Sequence, residues 1–381
     1  MTEFGIIGTG YVADFYGQTL PNHANLKLAG VFDLQIERMK AFAERYRCRT
    51  YDSLAEMLAD PSLTIVANLT NPRSHFAVTR EAIEAGKHVY SEKPLGMSFA
   101  EAQVLADLAA KKGVRIGGAP CTALSDSFVK MRALIAEGVI GTVRLAYAEM
   151  DDGMVHRLRF RHWRNSLGIA WPAADEFEVG CTFEHAGYQL VLLASLFGPA
   201  ERLTAFATCQ VPAKAPDLTR AALAPDFSVG MIEFGGGVVA RLTCSVLARE
   251  NRSLTIIGED GWITLRDVWD FHSPLAMGRW EAGWVTRAAR RLFHYEPRKT
   301  IRIRPGGRRH WSSGHRIDFA RGIADFALAI EDNAPAAMNA DLAVHITELT
   351  ELLQSSETIC GVRPVSSFQA VAPPVQANSL R

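Results

Sequence analysis

The stretch that decides the fold of the first part of the chain is Phe4-Gly5-Ile6-Ile7-Gly8-Thr9-Gly10-Tyr11-Val12-Ala13. It starts as a short apolar run, which predicts a strand, and leads into Tyr11–Leu20, whose pattern predicts a helix. The residues between them fit the pattern G-x-G-x-x-A. In that pattern the first glycine permits a tight turn, the second lets a pyrophosphate approach the backbone, and the alanine keeps the helix close to the sheet. We therefore predict a dinucleotide site with contacts from Gly8, Thr9, Gly10, Tyr11, Val12 and Ala13.

Asp33 bears on the choice of cofactor. It follows the second predicted strand, Leu28–Phe32, at about the spacing at which a carboxylate binds the ribose hydroxyls of a dinucleotide. A carboxylate there favours NAD, because it repels the 2′-phosphate of NADP. Arg38 lies one turn along the following helix and is a second cofactor-binding candidate, so NADP stays open. We predict NAD; the alternative is a plain strand–helix turn in which Asp33 only caps the helix.

The pattern of strands and helices changes after Cys121. Before it, apolar strands alternate with helical stretches, which predicts parallel βαβ units in a doubly wound (Rossmann) sheet. After it, strand candidates follow one another, and Phe234–Val238 and Gly258–Gly261 predict hairpins of an antiparallel sheet. The fold class is therefore α/β plus α+β. The predicted divisions are a dinucleotide-binding domain at 1–120, a substrate-binding and oligomerisation domain at 121–363 and a poorly ordered tail at 364–381.

Composition narrows the class of protein further. Lys plus Arg and Asp plus Glu each total 41, which predicts no nucleic-acid partner recognised through overall charge. The N-terminus does not resemble a signal peptide, and the longest strongly apolar run, around Leu190–Phe197, is too short to span a bilayer. The six cysteines include no C-x-x-C pair. We predict a cytoplasmic protein without a transmembrane segment or a metal.

A resemblance to a known family rests on Ala85-Gly86-Lys87-His88-Val89-Tyr90-Ser91-Glu92-Lys93-Pro94. This segment is similar to the A-G-K-H-V-x-x-E-K-P motif of the glucose–fructose oxidoreductase/inositol dehydrogenase (Gfo/Idh/MocA) family, and Leu134–Gly141 agrees with that family too. The resemblance implies a Rossmann domain, a second domain with an open antiparallel sheet, and assembly as a homodimer or homotetramer. It also implies that Lys93 is the active-site lysine and that Glu92 contacts the cofactor. An ammonium group at the end of a strand suits this role, because it stabilises developing alkoxide charge.

A second segment, Thr70-Asn71-Pro72-Arg73-Ser74-His75, resembles the T-P-N-x-x-H motif of the same family, with its second and third residues exchanged. The resemblance places His75 near the nicotinamide and makes Thr70 a cofactor contact. Whether Asn71 takes the place of the usual asparagine is left open by the exchange.

The chain departs from the family in its second domain. The family pattern G-x-x-x-D-x-G-x-H corresponds here to Gly180–Tyr188, so that Glu184 stands at the Asp position and Tyr188 at the His position. The i, i+4 spacing still predicts that both side chains share one helix face. We interpret Tyr188 as the proton donor or acceptor and as a substrate contact, with its pKa lowered by the Lys93 cation. His185 is the competing candidate, because imidazole titrates near neutral pH; the alternative is that both side chains only pack.

Two further segments carry candidates for binding. The segment before the second-domain motif is rich in aromatic and charged residues, and in it Arg161 and Arg164 are predicted to bind substrate. Residues 287–309 contain nine Lys or Arg and one acidic residue. That segment is predicted to be a solvated surface, with a subunit contact, a membrane-surface patch or a site for a substrate diphosphate as alternatives.

Together these features predict an enzyme that transfers hydride between a nicotinamide and a hydroxyl- or carbonyl-bearing carbon of a sugar, polyol or sugar nucleotide. Two alternatives remain: a non-catalytic nucleotide-binding regulator of the same fold, and an NAD-dependent enzyme of net redox-neutral sugar chemistry. The intact Glu92-Lys93-Pro94 segment argues against the regulator, which has less use for the lysine.

Overall fold

The computed structural model describes residues 1–215, 217–218, 223–280, 283, 291–292, 298–304, 310–355 and 363–369. Strands and helices alternate in its first part. The elements are β1 Thr2–Ile7, α1 Ala13–Thr19, β2 Leu26–Phe32, α2 Ile36–Tyr46, β3 Arg49–Thr50, α3 Leu54–Ala59, β4 Ile65–Asn68, α4 His75–Glu84, β5 His88–Ser91, α5 Phe99–Lys112 and β6 Ile116–Gly118.

The first sheet has six strands in the order β3-β2-β1-β4-β5-β6, and all neighbours are parallel. The chain runs outward from β1 to β3 on one side and then from β4 to β6 on the other, so the direction of winding reverses between β1 and β4. Ligands of doubly wound sheets bind at the carboxyl ends of the strands at such a reversal. The Rossmann architecture predicted from the sequence is confirmed.

Local signals explain where helices of this part begin and end. The side chain of Ser98 accepts a hydrogen bond from the backbone N–H of Glu101 and so caps the start of α5. The same helix ends at Gly113, which has a φ of +69° that glycine adopts without strain. On α5 the apolar residues Ala102, Leu105 and Ala109 are buried.

The second part contains a larger sheet and the helices that cover it. The elements are α6 Asp126–Ala136, β7 Val143–Asp151, α7 Ala173–Val179, a π-helical turn Thr182–Ala186, α8 Gly187–Phe197, β8 Ala200–Thr208, β9 Phe227–Phe234, β10 Val238–Ser245, β11 Leu254–Gly258, β12 Gly261–Leu265, β13 Leu275–Arg279, β14 Lys299–Ile301, α9 Ala320–Glu331, α10 Ala340–Gln354 and β15 Arg363–Pro364.

Among the described residues this sheet has nine strands, in the order β14-β13-β12-β11-β7-β10-β9-β8-β15. Every described pair is antiparallel except β7 and β10, which are parallel. The predicted antiparallel sheet is therefore mostly confirmed. The parallel pair exists because α7, α8, β8 and β9 lie between its two strands in the sequence, and such a long connection allows the chain to re-enter the sheet in the same direction.

Helix α10 joins the two parts of the fold, and helix α8 of the second part packs against it. On α8, Leu190, Val191, Leu192 and Leu193 are all fully buried. Helix α10 contacts α5 of the first part and α8 of the second, and the Glu351 carboxylate on α10 accepts a hydrogen bond from the backbone N–H at the start of α5. This helix therefore fixes the two sheets relative to each other.

The first residues of the predicted tail contact the second sheet and helix α10. The backbone N–H of Val365, whose side chain is buried, donates to the carbonyl of Glu201, and the backbone N–H groups of Ser366 and Ser367 donate to the Glu348 carboxylate. These backbone groups thus find partners on β8 and α10, while residues 370–381 lie outside the described part, and the tail 364–381 stays a prediction. The boundaries 1–120 and 121–363 stay predictions.

Candidate active site

The loop after β1 leaves the space that a pyrophosphate needs. Gly8 has a φ of +90°, and a Cβ atom there would lie 2.9 Å from the backbone nitrogen of Thr70. At Gly10, in contrast, a Cβ atom would meet no atom within 4 Å. The loop is therefore closed on the Gly8 side and open at Gly10, where a ligand can approach the backbone. Helix α1 begins directly after the loop, at Ala13, so residues 8–13 fit a bound dinucleotide.

Asp33 lies beside this loop, but its carboxylate is already occupied by protein groups. The backbone N–H and the hydroxyl of Thr9 donate to it at 2.6 and 2.9 Å, and the backbone N–H of Gln35 donates at 2.8 Å. The Arg38 guanidinium forms an ion pair with it at 2.7 Å. Burial alone would raise the pKa of Asp33, but the hydrogen bonds from Arg38, Gln35 and Thr9 outweigh it and lower this pKa. The predicted pair Asp33 and Arg38 is therefore brought together as an ion pair.

Lys93 and Glu184 form the centre of the site. The Lys93 Nζ atom lies 2.6 Å from Glu184 Oε2, and the two side chains are 15% and 7% exposed. Burial alone would lower the pKa of Lys93, but the negative charge of Glu184 overcomes this effect and the pKa is raised. Lys93 is therefore a stable cation at the carboxyl end of β5.

Glu92 anchors the segment that carries Lys93. Its Oε1 atom accepts a hydrogen bond of 2.7 Å from the Tyr16 hydroxyl of α1, and its Oε2 atom accepts one of 3.0 Å from the backbone N–H of Lys93. Glu92 thus links the helix behind the nucleotide loop to the lysine, which gives it a positioning role in addition to the predicted cofactor contact.

His75 connects the loops after β4 and β5. Its Nδ1 atom lies 2.7 Å from the Pro94 carbonyl and its Nε2 atom lies 3.0 Å from the Thr70 carbonyl. Burial lowers the pKa of His75, so the ring is neutral and donates to one carbonyl at a time. The neighbouring Asn71 is exposed and directs its amide toward Asp175 of α7, 3.4 Å away.

Tyr188 completes the cluster around Lys93. Its ring centroid lies 6.0 Å from Lys93 Nζ, and its ring meets that of Trp269 edge-on at 5.3 Å. Glu184 lies in the π-helical turn Thr182–Ala186 rather than in the regular helix that the i, i+4 argument assumed. A π turn holds one more residue per turn than an α-helix, and such turns are frequent at functional sites. The structure nevertheless brings Lys93, Glu184 and Tyr188 together.

The pKa of Tyr188 moves in the direction opposite to the one predicted. Burial raises it, and although the Lys93 cation acts to lower it, the net pKa lies above the usual value for a phenol. The prediction of a phenolate favoured by Lys93 is wrong, because Glu184 already neutralises much of the lysine charge and because burial disfavours a phenolate. Tyr188 is therefore a protonated phenol at neutral pH.

His185 is unsuited to carry a proton at neutral pH. Burial, together with the positive charges of Lys93 and Arg252, lowers the pKa of His185 to about 3. Its ring packs edge-on against Trp269 at 5.7 Å, and its Nδ1 atom has no hydrogen-bond partner among the described residues. A neutral imidazole that stays neutral across the physiological range is a packing group rather than a general acid.

One titratable residue of the cluster is absent from the predicted set. Glu176 on α7 lines a cavity together with His185, Trp171 and Cys181. Burial and the neighbouring Glu184 raise the pKa of Glu176 well above its usual value, while Lys93 acts against this. Glu176 and Glu184 thus both act on Lys93, and the raised pKa of Glu176 favours its protonated form. The sequence signal was only an acidic run, 175–178, which is usually solvated.

The arginines predicted to bind substrate are not brought to this cluster. Arg161 is exposed and pairs with Asp217 at 3.1 Å, while Arg164 donates to the backbone carbonyls of Arg161 and Trp163. The loop turns them outward because its two following residues face the nucleotide helix: the Asn165 amide donates to the Tyr11 carbonyl at 3.1 Å, and Ser166 binds the Asp14 carboxylate.

Most of the basic segment 287–309 lies outside the described residues. Its described part includes strand β14, which pairs with β13 at the edge of the second sheet. The side chains of Arg298, Lys299, Arg302 and Arg304 are exposed there. The role of this segment stays a prediction.

A glycine turn at the reversal of a doubly wound sheet, beside a buried lysine–carboxylate pair, defines the class of nicotinamide-dependent oxidoreductases. Residues 2–118 match the model described as an oxidoreductase family with an NAD-binding Rossmann fold, and residues 128–264 match the model described as the GFO/IDH/MocA C-terminal domain. The chain belongs to the GFO/IDH/MocA oxidoreductase family. The resemblance on which the sequence-based prediction rested is confirmed, as are the enzyme class and NAD as the cofactor of the family.

Individual relatives agree with this assignment. The chain is 25% identical over 269 residues to trans-1,2-dihydrobenzene-1,2-diol dehydrogenase of Macaca fuscata fuscata, which covers 69% of the chain and 74% of the relative. It is 32% identical over 164 residues to D-xylose 1-dehydrogenase (NADP(+)) of Hypocrea jecorina, which covers 39% and 41%. Its fold resembles that of aldose-aldose oxidoreductase from Caulobacter crescentus with a TM-score of 0.75 and 16% identity, over 95% of this chain and 99% of that one.

No helix in the described ranges is both long enough and apolar enough to cross a membrane. The cytoplasmic location and the homodimer or homotetramer stay predictions.

Proposed function

We propose that the chain transfers hydride between C4 of a nicotinamide and a carbon that bears a hydroxyl or carbonyl group in a sugar, polyol or sugar nucleotide. The observation that carries the proposal is the Lys93–Glu184 pair at 2.6 Å, with Tyr188 beside it, at the carboxyl end of β5. This end of the sheet also carries the glycine loop, so a nicotinamide bound there supplies or accepts hydride next to the lysine.

Lys93 stabilises charge on the reacting oxygen. Its three N–H donors allow it to keep the Glu184 contact and still donate to a substrate oxygen. As hydride reaches the carbonyl carbon, negative charge develops on this oxygen, and a preorganised ammonium stabilises it without reorganisation. Glu184 holds the ammonium in place and keeps it charged.

Tyr188 handles the proton. In reduction, its phenol donates a proton to the oxygen that becomes the hydroxyl, and in oxidation its phenolate accepts the proton that the hydroxyl loses. The raised pKa of Tyr188 suits the first of these roles at neutral pH. Glu176 lies close enough to Lys93 and Tyr188 to affect the pKa of both.

The surroundings of the cluster suit the uncharged, hydroxylated part of such a substrate. Trp269 is buried beside Tyr188, so the cluster has an aromatic, apolar wall on this side. The positive charge of Lys93 is already balanced by Glu184, which leaves little net charge to attract an anionic group. The named activities of the relatives, on a cyclic diol, D-xylose and an aldose, support the same class of substrate.

The test is nicotinamide absorbance with NAD or NADP against a panel of free sugars, inositols and sugar nucleotides, followed by product analysis. We expect cofactor reduction with at least one polyol or aldose, and a loss of about 100-fold or more in kcat for Lys93→Ala. Lys111→Ala, a solvent-facing substitution on α5, is the matched control and should retain activity. Conversion of a sugar without net change in the nicotinamide would instead identify the redox-neutral enzyme, and no conversion of any kind would contradict the proposal.

A further inference from the structure

The aromatic wall beside Tyr188 contains polar atoms without a partner. Trp269 is 9% exposed, and its indole N–H has no hydrogen-bond partner among the described residues. The same holds for the Nδ1 atom of His185, which is 8% exposed. A buried polar group that stays unpaired costs free energy, and such groups in folded proteins are therefore nearly always satisfied. Two such groups on neighbouring rings indicate that a polar molecule binds between the described side chains.

A second imidazole belongs to the same cluster. The ring of His315 meets that of Trp269 edge-on at 5.1 Å, and the ring of His185 meets that of Trp269 at 5.7 Å. His315 is half-buried and also contacts the ring of Phe15 on α1, but its side chain makes no hydrogen bond to the described residues. Both of its ring nitrogens are thus available to a ligand.

This cluster of His185, Trp269 and His315 borders the proposed reacting centre. Trp269 meets the ring of Tyr188 edge-on at 5.3 Å, and the centroid of the Tyr188 ring lies 6.0 Å from Lys93 Nζ. A molecule that reacts beside Lys93 therefore has the cluster next to it.

Both imidazoles of the cluster are neutral at neutral pH. Burial is the main cause: it lowers the pKa of His185 to about 3 and also lowers the pKa of His315. A neutral imidazole has one donor and one acceptor, whereas an indole has only a donor. A hydroxyl group matches this set, because its oxygen accepts the indole N–H while its own proton is donated to an imidazole nitrogen.

The neighbouring cation adds no uncompensated charge. Arg252 lies over the Trp269 ring, 4.5 Å from its centroid, but the guanidinium is paired with Asp152 at 2.9 Å and with Asp267 at 3.1 Å. An anionic group gains little from a cation that two carboxylates already balance. The cluster therefore favours an uncharged hydroxyl over a phosphate or a carboxylate.

We propose that Trp269, His185 and His315 form a binding subsite for a hydroxyl group that the substrate carries away from its reacting carbon. The inference deepens the proposed function and rests on it for the class of substrate. The role of the subsite is binding and orientation, not proton transfer. A sugar or polyol held at this second point presents one particular carbon to Lys93, so the subsite selects which hydroxyl reacts.

The test observes the Trp269 indole directly by NMR on the isotope-labelled full chain. Each of the seven tryptophans gives one indole N–H resonance, and that of Trp269 is identified by its loss in Trp269→Phe. With NAD or NADP present, we expect D-xylose, D-glucose or myo-inositol to shift this resonance downfield. The Trp280 indole already donates to the Gly258 carbonyl at 2.8 Å and is the internal control, which should not move.

His315→Phe tests the second group, because it keeps an aromatic ring beside Trp269 and removes both nitrogens. For the sugar that shifts the resonance, we expect the dissociation constant from the same titration to rise about tenfold, with nucleotide affinity unchanged. His310→Phe, at an exposed position of the same loop, is the control and should leave the dissociation constant unchanged. An unchanged dissociation constant in His315→Phe would contradict the role of His315.

The outcomes separate the subsite from the reaction. A sugar that shifts the Trp269 resonance without any conversion would contradict the proposed function and support the subsite. Conversion of a sugar that leaves the resonance in place would support the reaction and overturn the subsite. A resonance that no sugar of the panel moves would overturn the subsite as well, because water alone would then satisfy the indole.

Discussion

Lys93 and Glu184 depend on each other as a buried pair. With Glu184 neutralised, the lysine would be left as an uncompensated cation in a site where it is only 15% exposed. Removal of one partner of a buried pair commonly costs about 3 kcal/mol or more, whereas an exposed pair contributes about 0–1 kcal/mol. We therefore expect Glu184→Gln to lower the free energy of unfolding by about 3 kcal/mol in urea titrations.

The matched control for this prediction is Glu233→Gln, which removes one partner of the exposed pair between Arg202 and Glu233 on the second sheet. It should change the unfolding free energy by less than about 1 kcal/mol. Equal effects of the two substitutions would show that the Lys93–Glu184 pair contributes no more than a surface contact.

Tyr188 carries a pH dependence whose sign follows from its raised pKa. Because the phenol keeps its proton at neutral pH, alcohol oxidation, which needs the phenolate, should become faster as the pH rises through the alkaline range. Carbonyl reduction, which uses the phenol, should show no such rise. Tyr188→Phe should nearly abolish turnover in both directions and leave nucleotide affinity unchanged; near-normal turnover would remove Tyr188 from the mechanism.

Glu176 predicts a pH dependence of stability. Since its pKa is raised well above the usual value, the folded protein keeps a proton that the unfolded chain releases above about pH 4.3. Stability therefore falls as the pH rises from the unfolded pKa toward the folded one. Glu176→Gln removes this loss, so the Tm of the variant relative to wild type should be higher at about pH 8 than at about pH 4.

The neighbouring Glu178→Gln, which faces the exposed Arg73, is the control. A Tm difference that does not depend on pH would contradict the assignment of a buried proton to Glu176.

At the scale of the elements, the sequence could predict those whose function depends on residues close together in the chain. The loop after β1 needs glycine at a φ of +90°, and the segment after β5 contains the lysine in a continuous motif. The direction in which Arg161 and Arg164 point is determined by the anchoring of Asn165 on the nucleotide loop and of Ser166 on α1, which no local pattern reveals.

The π-helical turn could not be predicted for a similar reason. Its residues Thr182–Ala186 fit a helical pattern, but Glu184 in this turn pairs with Lys93, which lies 91 positions earlier in the chain. The raised pKa of Tyr188 could not be predicted either. It results from burial, and Tyr188 is buried by contacts such as that with Trp269, which is distant in the sequence.

Asn165 joins its own loop to the nucleotide loop. Its Oδ1 atom accepts from the backbone N–H groups of Leu167 and Ile169, while its amide donates to the Tyr11 carbonyl in the nucleotide loop. Asn165→Ala should free this loop and increase the dissociation rate of the bound dinucleotide by about tenfold in stopped-flow displacement. Arg164→Ala, which alters an exposed side chain of the same loop, should not. An unchanged rate for Asn165→Ala would show that the contact does not retain the nucleotide.

At the scale of the whole molecule, the two sheets serve different parts of the site. The parallel sheet supplies the glycine loop, Asp33 and Lys93 from the ends of three strands, and the second part supplies Glu184, Tyr188 and Trp269. The sequence predicted both sheets, because each has its own periodicity, but the parallel pair β7 and β10 depends on chain connections that periodicity does not report.

The central claim is that hydride passes between substrate and nicotinamide beside Lys93. The direct measurement is mass spectrometry of the reduced nicotinamide after turnover of a substrate deuterated at the reacting carbon. We expect deuterium at C4 of the nicotinamide with wild type and no reduced cofactor above background with Lys93→Ala. Oxidised substrate together with an unlabelled reduced nicotinamide would contradict direct transfer and with it the role assigned to this site.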